Sequence, residues 1–217
     1  MFILLFETSL LANSNISYSQ EEAKDYYFKL SDFKEPKIYL YENTTYPELG
    51  QYWKISSSPD SNLLITEAHL LDFTQFEIFK ECYDSTGSKV VEYIMIEGLD
   101  SIRTEILESD VYRWNSKEEY GYGIKQLRIG IWRGYDKTRK MKSTTSMEIM
   151  GEQLEVLRFE DRYTYKFGFA MYVMQQSFYS KEYGLVRFLR FDESTKENQT
   201  YVLTKVYSED EWLELQE

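Results

Sequence analysis

Apolar and polar residues alternate with a period of two along most of this chain, which predicts antiparallel β-structure. The stretch at residues 177–191 shows the pattern most clearly, with Val186, Phe188 and Arg190 on one face of a strand and Leu185 on the other. Because both faces carry apolar bulk, we expect a central strand that returns from a Lys-Glu-Tyr-Gly turn.

A second hairpin is predicted at residues 73–83 and 89–97, since both arms are rich in aromatic or β-branched residues and an Asp-Ser-Thr-Gly turn joins them. Turn-forming residues separate further strand-like segments at residues 37–41, 51–56, 63–71, 102–114, 122–133, 154–159, 163–179 and 200–207.

Two capping boxes predict short helices near the ends of the chain. Ser19 with Glu22 would begin a helix over about residues 20–31, and Ser208 with Glu211 would begin a closing helix. The closing helix is expected to dock on the sheet through Trp212, Leu213 and Leu215.

These elements predict an all-β fold with short terminal helices, built as a single curved antiparallel sheet or half-barrel of about ten strands. A chain of 217 residues is long enough for one large β domain, which we place at residues 18–217. Its 20 Tyr, 13 Phe and 4 Trp suit half-buried, pleated surfaces.

Residues 1–17 begin with a short apolar segment, Phe-Ile-Leu-Leu-Phe, and continue into small polar residues. This pattern is typical of a secretory signal that has lost its basic start, and it predicts a periplasmic or secreted protein. The alternative is a retained hydrophobic N-terminal strand of a cytoplasmic protein. No segment of the sequence is apolar for long enough to predict an integral membrane span.

The net charge of −12 repels phosphate backbones, so we do not expect nucleic-acid binding. One positive cluster interrupts the acidic sequence, formed by Lys137, Arg139, Lys140 and Lys142. We interpret it as a charged turn and edge strand, because lysine on an edge discourages strand pairing with other chains. A contact with an acidic partner is the alternative.

The sequence lacks the residues that common catalytic sites require. His69 is the single histidine and Cys82 the single cysteine, and they lie on different predicted strands, so we interpret both as structural. There are too few such side chains for a His/Cys zinc site, and no glycine-rich phosphate loop is present. We therefore predict a non-enzyme with no catalytic residues, no metal and no cofactor.

Five side chains are candidates for ligand binding. Trp53, Trp114 and Trp132 could stack on sugars if they lie flat and exposed. Arg187 and Arg190 point to opposite faces of one predicted strand, so at most one faces a shared buried site, where it should pair with a carboxylate.

Three segments carry a resemblance to a family: Gln-Tyr-Trp at residues 51–53, Tyr-Asp-Ser-Thr-Gly-Ser at 83–88 and Phe-Tyr-Ser-Lys-Glu-Tyr-Gly-Leu-Val at 178–186. Together with the secretory start, they resemble uncharacterised exported proteins of the Bacteroidetes cell envelope, in which a similar segment closes a LolA-like half-barrel. In that family the turn reads Lys-Gly-x-Gly, where this chain has Lys-Glu-Tyr-Gly. The resemblance implies a periplasmic or secreted, non-catalytic protein.

Our first hypothesis is therefore an exported binding or scaffolding protein that holds an apolar ligand, such as a lipid, or a segment of an envelope protein on a concave sheet face. The alternative is a glycan-binding or glycan-hydrolysing protein that uses exposed aromatic side chains and paired carboxylates. A third reading is a structural assembly component, which predicts an exposed apolar patch and no cavity.

Overall fold

The structure is a computed structural model, and it describes residues 22–114, 118–128, 131–166, 170–192 and 196–217. The predicted signal segment at residues 1–17 lies outside the described residues. So do Gly168, which divides the predicted 163–179 segment, and the side chain of Trp132.

The described residues are mainly β-strand. Two α-helices are present, α1 (Glu22–Asp25) and α2 (Glu209–Glu214), and single 3-10 turns occur at Leu30–Phe33, Pro47–Leu49 and Pro59–Ser61. The strands are β1 (Lys37–Asn43), β2 (Gln51–Ser58), β3 (Leu63–Leu70), β4 (Gln75–Tyr83), β5 (Gly87–Glu97), β6 (Asp100–Arg103), β7 (Glu105–Arg113), β8 (Tyr120–Arg128), β9 (Ile131–Ile149), β10 (Glu152–Lys166), β11 (Ala170–Ser180), β12 (Gly184–Asp192) and β13 (Glu197–Ser208).

The strands form a closed antiparallel barrel. From β1 to β5 and from β7 to β13, each strand pairs with the next along the chain, β13 returns to pair with β1, and β5 pairs with both β4 and β7. Twelve of the described strands complete the ring, and β6 branches from β5 as a short addition.

The all-β prediction is confirmed, but the open sheet or half-barrel of about ten strands is wrong. Closure depends on β1–β13 pairing, which joins residues more than 150 positions apart, such as Ile38 and Tyr207. The alternation of apolar and polar residues predicts a strand but does not indicate which distant strand it pairs with. The concave face expected of an open sheet is therefore the inner wall of a barrel.

Both predicted hairpins are present, as β4–β5 and β11–β12. Gly184 ends the second turn with a φ of +71°, a left-handed conformation that favours glycine. The predicted strand at residues 102–114 is instead two strands, β6 and β7. Both pair with β5, β6 at residues 94–97 and β7 at residues 87–89, and β7 also pairs with β8.

The chain before β1 enters one end of the barrel, and we call residues 22–33 the plug. Its rings are almost fully buried, and the tyrosine hydroxyls of two strands hold its backbone: Tyr112 donates to the Ala23 carbonyl at 2.8 Å and Tyr83 to the Phe28 carbonyl at 2.9 Å. These contacts fix the plug to the wall of the barrel. The predicted helix over residues 20–31 is reduced to α1 and a 3-10 turn.

The closing helix α2 packs outside the barrel. Its capping box is present, with the Ser208 hydroxyl accepting from the backbone N–H of Glu211. Trp212 is buried against Ile38 and Tyr207, as expected. Leu213 and Leu215 remain 52% and 45% exposed. Because the helix is short, one side chain supplies its apolar contact with the sheet.

Candidate functional site

A cavity of about 270 Å³ lies inside the barrel. Twelve strands make a ring wider than the eight-stranded barrels whose interiors side chains can fill. The plug closes one end with Tyr27 and Phe28, and aromatic side chains from most strands form the wall. We call this space the lumen.

A row of polar side chains crosses four neighbouring strands inside the barrel. The ladder register places Arg139 on β9 opposite Asp161 on β10, Asp161 opposite Gln175 on β11, and Gln175 opposite Arg190 on β12. Directly paired residues on one face of a sheet lie within reach of each other. The pairing therefore assembles one polar row from four separate parts of the sequence.

Asp161 is the centre of a buried ionic cluster. Its carboxylate accepts from Arg139 Nε at 2.7 Å and from Arg139 Nη2 at 3.0 Å, and it accepts from the Ser177 hydroxyl at 2.6 Å. Lys137 Nζ lies 3.4 Å away. Arg139 is 2% exposed and Asp161 0%, so the fork of Arg139 matches the carboxylate without competition from solvent.

The cluster shifts the pKa values of its members. Burial acts to raise the pKa of Asp161, but the charges of Arg139 and Lys137 outweigh burial and hold that pKa below its ordinary value. Burial and the neighbouring Arg139 charge lower the pKa of Lys137. Asp161 is therefore ionised at neutral pH and compensates the buried guanidinium.

Arg190 lies at the end of the polar row and lines the lumen. Its Nε donates to Gln175 Oε1 at 2.8 Å, and Gln175 Nε2 donates in turn to the Ser177 hydroxyl at 2.8 Å. No ion pair joins Arg190 to a carboxylate in the described part of the chain. The carboxylate partner that the sequence led us to expect is thus replaced by an amide oxygen.

Two carboxylates on β4 also face the lumen, Glu77 and Glu81. Tyr27 donates to Glu81 at 2.7 Å, the Ser88 hydroxyl donates to the same oxygen, and Tyr93 donates to Glu77 at 2.5 Å. Burial raises the pKa of each carboxyl. The alternation of β4 gave the signal for this shared face, because the two residues are four positions apart.

Gln126 on β8 presents a buried amide to the lumen and is 5% exposed. Its Nε2 contacts the sulfur of Met95 at 3.2 Å, and its Oε1 has no hydrogen-bond partner among the described residues. A buried amide oxygen without a partner is costly, so this position favours a polar group within the lumen. Sequence reasoning missed Gln126 because an isolated glutamine on a strand carries no pattern.

Of the five side chains proposed from the sequence, Trp53 and Arg190 line the lumen. Arg187 lies on the opposite face of β12, with its guanidinium 6.0 Å from the Phe178 ring centre. Trp114 is buried near the plug and donates to the Asp84 carbonyl at 2.9 Å, so it is not an exposed sugar platform. The side chain of Trp132 lies outside the described residues.

The basic cluster at residues 137–142 is a charged edge strand only in part. Lys137 and Arg139 lie where β9 pairs with β8 on one side and β10 on the other, whereas Lys140 and Lys142 follow the last β8 partner and are exposed. Lys137 and Arg139 point inward and are buried. The edge-strand interpretation is therefore wrong for Lys137 and Arg139, and the buried carboxylate of Asp161 compensates Arg139. It fits Lys140 and Lys142, which lie where β9 has a ladder partner on one side only among the described residues.

His69 and Cys82 are far apart. His69 lies opposite Gln75 near one end of the β3–β4 pair, and Cys82 lies opposite Leu63 at the other end. Six residues of strand separate the two positions by about 20 Å. The His69 ring packs 5.1 Å from the Trp212 ring outside the barrel. The two side chains do not form a nucleophile and base.

In the described part of the chain, no three His, Cys, Asp or Glu side chains are grouped so that they could hold a metal ion. Neither described helix has the length and apolar run needed to cross a membrane.

No protein-family model and no curated protein matches this chain. Among solved structures, it is similar to a crystal structure described as "a putative lipoprotein from Parabacteroides distasonis", with a TM-score of 0.52 and 12% sequence identity. The match covers 80% of this chain and 95% of the other. At this identity the likeness shows a shared fold alone. The neighbouring protein comes from a species of the Bacteroidetes, the group whose envelope proteins the sequence resembles.

Proposed function

We propose that this protein is a non-catalytic binding protein of the bacterial cell envelope that holds a small molecule inside its barrel. The observation that carries the proposal is the lumen, which combines aromatic walls with a few buried polar groups. Small-molecule sites in proteins have this composition and occur within barrels. The envelope location is supported by the secretory pattern of residues 1–17 and by the name of the structural neighbour.

The size of the lumen favours a small ligand. At about 270 Å³ its volume is just below the range of roughly 300–1,000 Å³ that small-molecule sites occupy. A protein segment needs a continuous groove, whereas this space is surrounded by paired strands and covered at one end by the plug. An internal cavity also disfavours a purely structural component, which needs no internal space.

The carboxylates of the lumen do not favour glycan hydrolysis. Glu77 and Glu81 lie on one strand, and four residues of strand separate their Cα atoms by about 13 Å. Glycosidase carboxyl groups lie roughly 5–10 Å apart across the scissile bond. Each of the two also accepts from a tyrosine hydroxyl. These contacts suit carboxyls that organise the wall.

Native mass spectrometry of the protein purified from its own host tests lumen binding directly. The expected result is an added mass that leaves on denaturation. Ala68 on β3 lines the lumen, so Ala68→Phe should fill the space and abolish the added mass. Glu67→Phe places the same ring on the opposite face of β3 and should retain it.

Far-UV circular dichroism would verify that both variants keep the β-rich fold. A wild-type protein that always appears as a bare monomer would overturn the proposed function, and so would an added mass that persists in Ala68→Phe.

A further inference from the structure

The lumen has a positive charge excess inside an acidic protein. Arg133, Lys137, Arg139 and Arg190 line it, together with Lys125, which has an ion-pair partner outside at Glu105. Three carboxylates face this set, namely Glu77, Glu81 and Asp161 behind the wall. Even without Lys125, four cations stand against three carboxylates in a chain whose net charge is −12. The distribution favours an anion in the lumen.

The charged groups are not equally compensated. Arg139 and Lys137 share Asp161, Tyr27 and Ser88 donate to Glu81, and Tyr93 donates to Glu77. Arg190 differs, because the only hydrogen bond from its guanidinium to the described residues is through Nε to Gln175. Its terminal nitrogens make no hydrogen bond to the described residues, and Glu77 attracts it through space without forming an ion pair. A ligand anion that bonds directly to these nitrogens therefore gains binding free energy.

The contacts of Arg190 also orient it. Gln175 holds Nε, and Gln175 is itself held by Ser177 in the polar row. The guanidinium carbon lies 5.1 Å from the ring centre of Phe188 and 5.9 Å from that of Tyr201. With Nε occupied, the two terminal nitrogens form the side of the fork that suits a carboxylate or a similar oxyanion.

Aromatic surface for an apolar body lies next to this position. The rings of Trp53 and Phe188 stack with centres 5.9 Å apart, and those of Tyr163 and Tyr165 stack with centres 6.0 Å apart. All four side chains line the lumen. The unpartnered Oε1 of Gln126 adds a second polar position on another part of the wall.

From these contacts we infer that the ligand of the lumen is an amphipathic organic anion, whose acid group binds Arg190 and whose apolar, ring-bearing body lies against the aromatic wall. This inference rests on the proposed function and specifies its ligand class. The −12 charge of the whole chain does not oppose it, because the groups within a few ångströms decide the potential inside an enclosed site.

Two fluorescent probes that differ by one anionic group test the inference. 8-Anilinonaphthalene-1-sulfonate is an aromatic anion, and N-phenyl-1-naphthylamine is the same ring system without the sulfonate. The wild-type protein should bind the sulfonate more tightly. Arg190→Met should weaken sulfonate binding by roughly 10- to 100-fold, as expected for the loss of a charged hydrogen-bond partner. Its affinity for the neutral probe should change less than about threefold.

Matched variants separate the site from other effects. Arg187→Met removes the same charge from the opposite face of β12 and should leave both affinities unchanged. Arg190→Lys keeps the charge but loses the fork, so sulfonate binding should fall between wild type and Arg190→Met. Ala68→Phe should abolish lumen binding of both probes, and any fluorescence that it retains reports binding elsewhere.

The outcomes distinguish this inference from the proposed function. Suppose that both probes bind the wild-type protein, but that each Arg190 variant weakens the anionic and the neutral probe by the same factor or leaves both affinities unchanged. The anionic ligand class is then overturned, while lumen binding stands. If the wild-type protein binds neither probe, the inference is also overturned, and the native mass spectra decide separately whether the lumen holds another ligand.

Discussion

Replacing Asp161 with alanine removes the carboxylate that compensates two buried cations. Arg139 would lose both of its bonds to Asp161, and Lys137 would lose its ion pair. Arg139 stays charged at any accessible pH, whereas Lys137, whose pKa burial already lowers, can release its proton. The variant therefore leaves one guanidinium buried and uncompensated.

Breaking a buried pair in this way costs about 3–5 kcal/mol. The free energy of unfolding of a domain is about 5–15 kcal/mol, so Asp161→Ala should lose a large part of it. In urea, with a slope of up to about 3 kcal/mol per molar, the unfolding midpoint should fall by roughly 1–2 M. Equilibrium urea unfolding followed by tryptophan fluorescence measures this shift.

The neighbouring residue provides a matched control. Glu160 points to the outer face of β10 and pairs with Lys142 at 2.5 Å, with both side chains about one-third exposed. Glu160→Ala should cost less than about 1 kcal/mol. The double variant Asp161→Ala/Arg139→Met should be more stable than Asp161→Ala alone, because the uncompensated charge is gone. Equal losses of unfolding free energy in Asp161→Ala and Glu160→Ala would refute this reasoning.

Further predictions concern a buried acid, a turn and a cap. Burial raises the pKa of Glu81 in the folded protein, so folding favours its protonated form. This contribution to stability is complete below the pKa of about 4.3 that the group has in the unfolded chain, and it is lost as the pH rises through the pKa of the folded state. The urea midpoint of Glu81→Gln relative to wild type should therefore be higher at pH 8 than at pH 4, and a constant difference would contradict this. Gly184→Ala places a Cβ 2.4 Å from the Phe28 ring, whereas the Cβ of Gly98→Ala, also at positive φ, meets open space. In thermal unfolding, Gly184→Ala should therefore lose more stability than Gly98→Ala, by at least about 1 kcal/mol. Ser208→Ala should cost about 1 kcal/mol and increase hydrogen exchange in α2, and unchanged exchange would show that the cap does not hold the helix.

Local signals explain what the sequence predicted well. The β4–β5 and β11–β12 hairpins follow from alternation and turn residues, and the Ser208 capping box places the start of α2. Trp53 and Arg190 were proposed as ligand-binding residues and both line the lumen, while ligand binding by either stays a prediction. Each of these features depends on residues that are close together in the chain.

Features that depend on distant residues were not predictable in this way. Lys137 and Arg139 alternate with polar neighbours, so the sequence pattern predicts a buried face on neither side of that segment. The β9–β10 register then brings Arg139 opposite Asp161. Gln126 likewise became part of the candidate site only through the position of β8 in the wall.

The sequence by itself determined the strand period, the positions of the main turns, the closing cap and the acidic charge of the whole chain. The tertiary structure alone decided that β13 meets β1, that the resulting barrel has an inside, and that the inside collects a net positive set of side chains. The physical reason is that alternation divides residues between two faces without saying which face is enclosed. Only closure of the ring makes one face the lumen, where Arg190 lies against the rings of Phe188 and Tyr201.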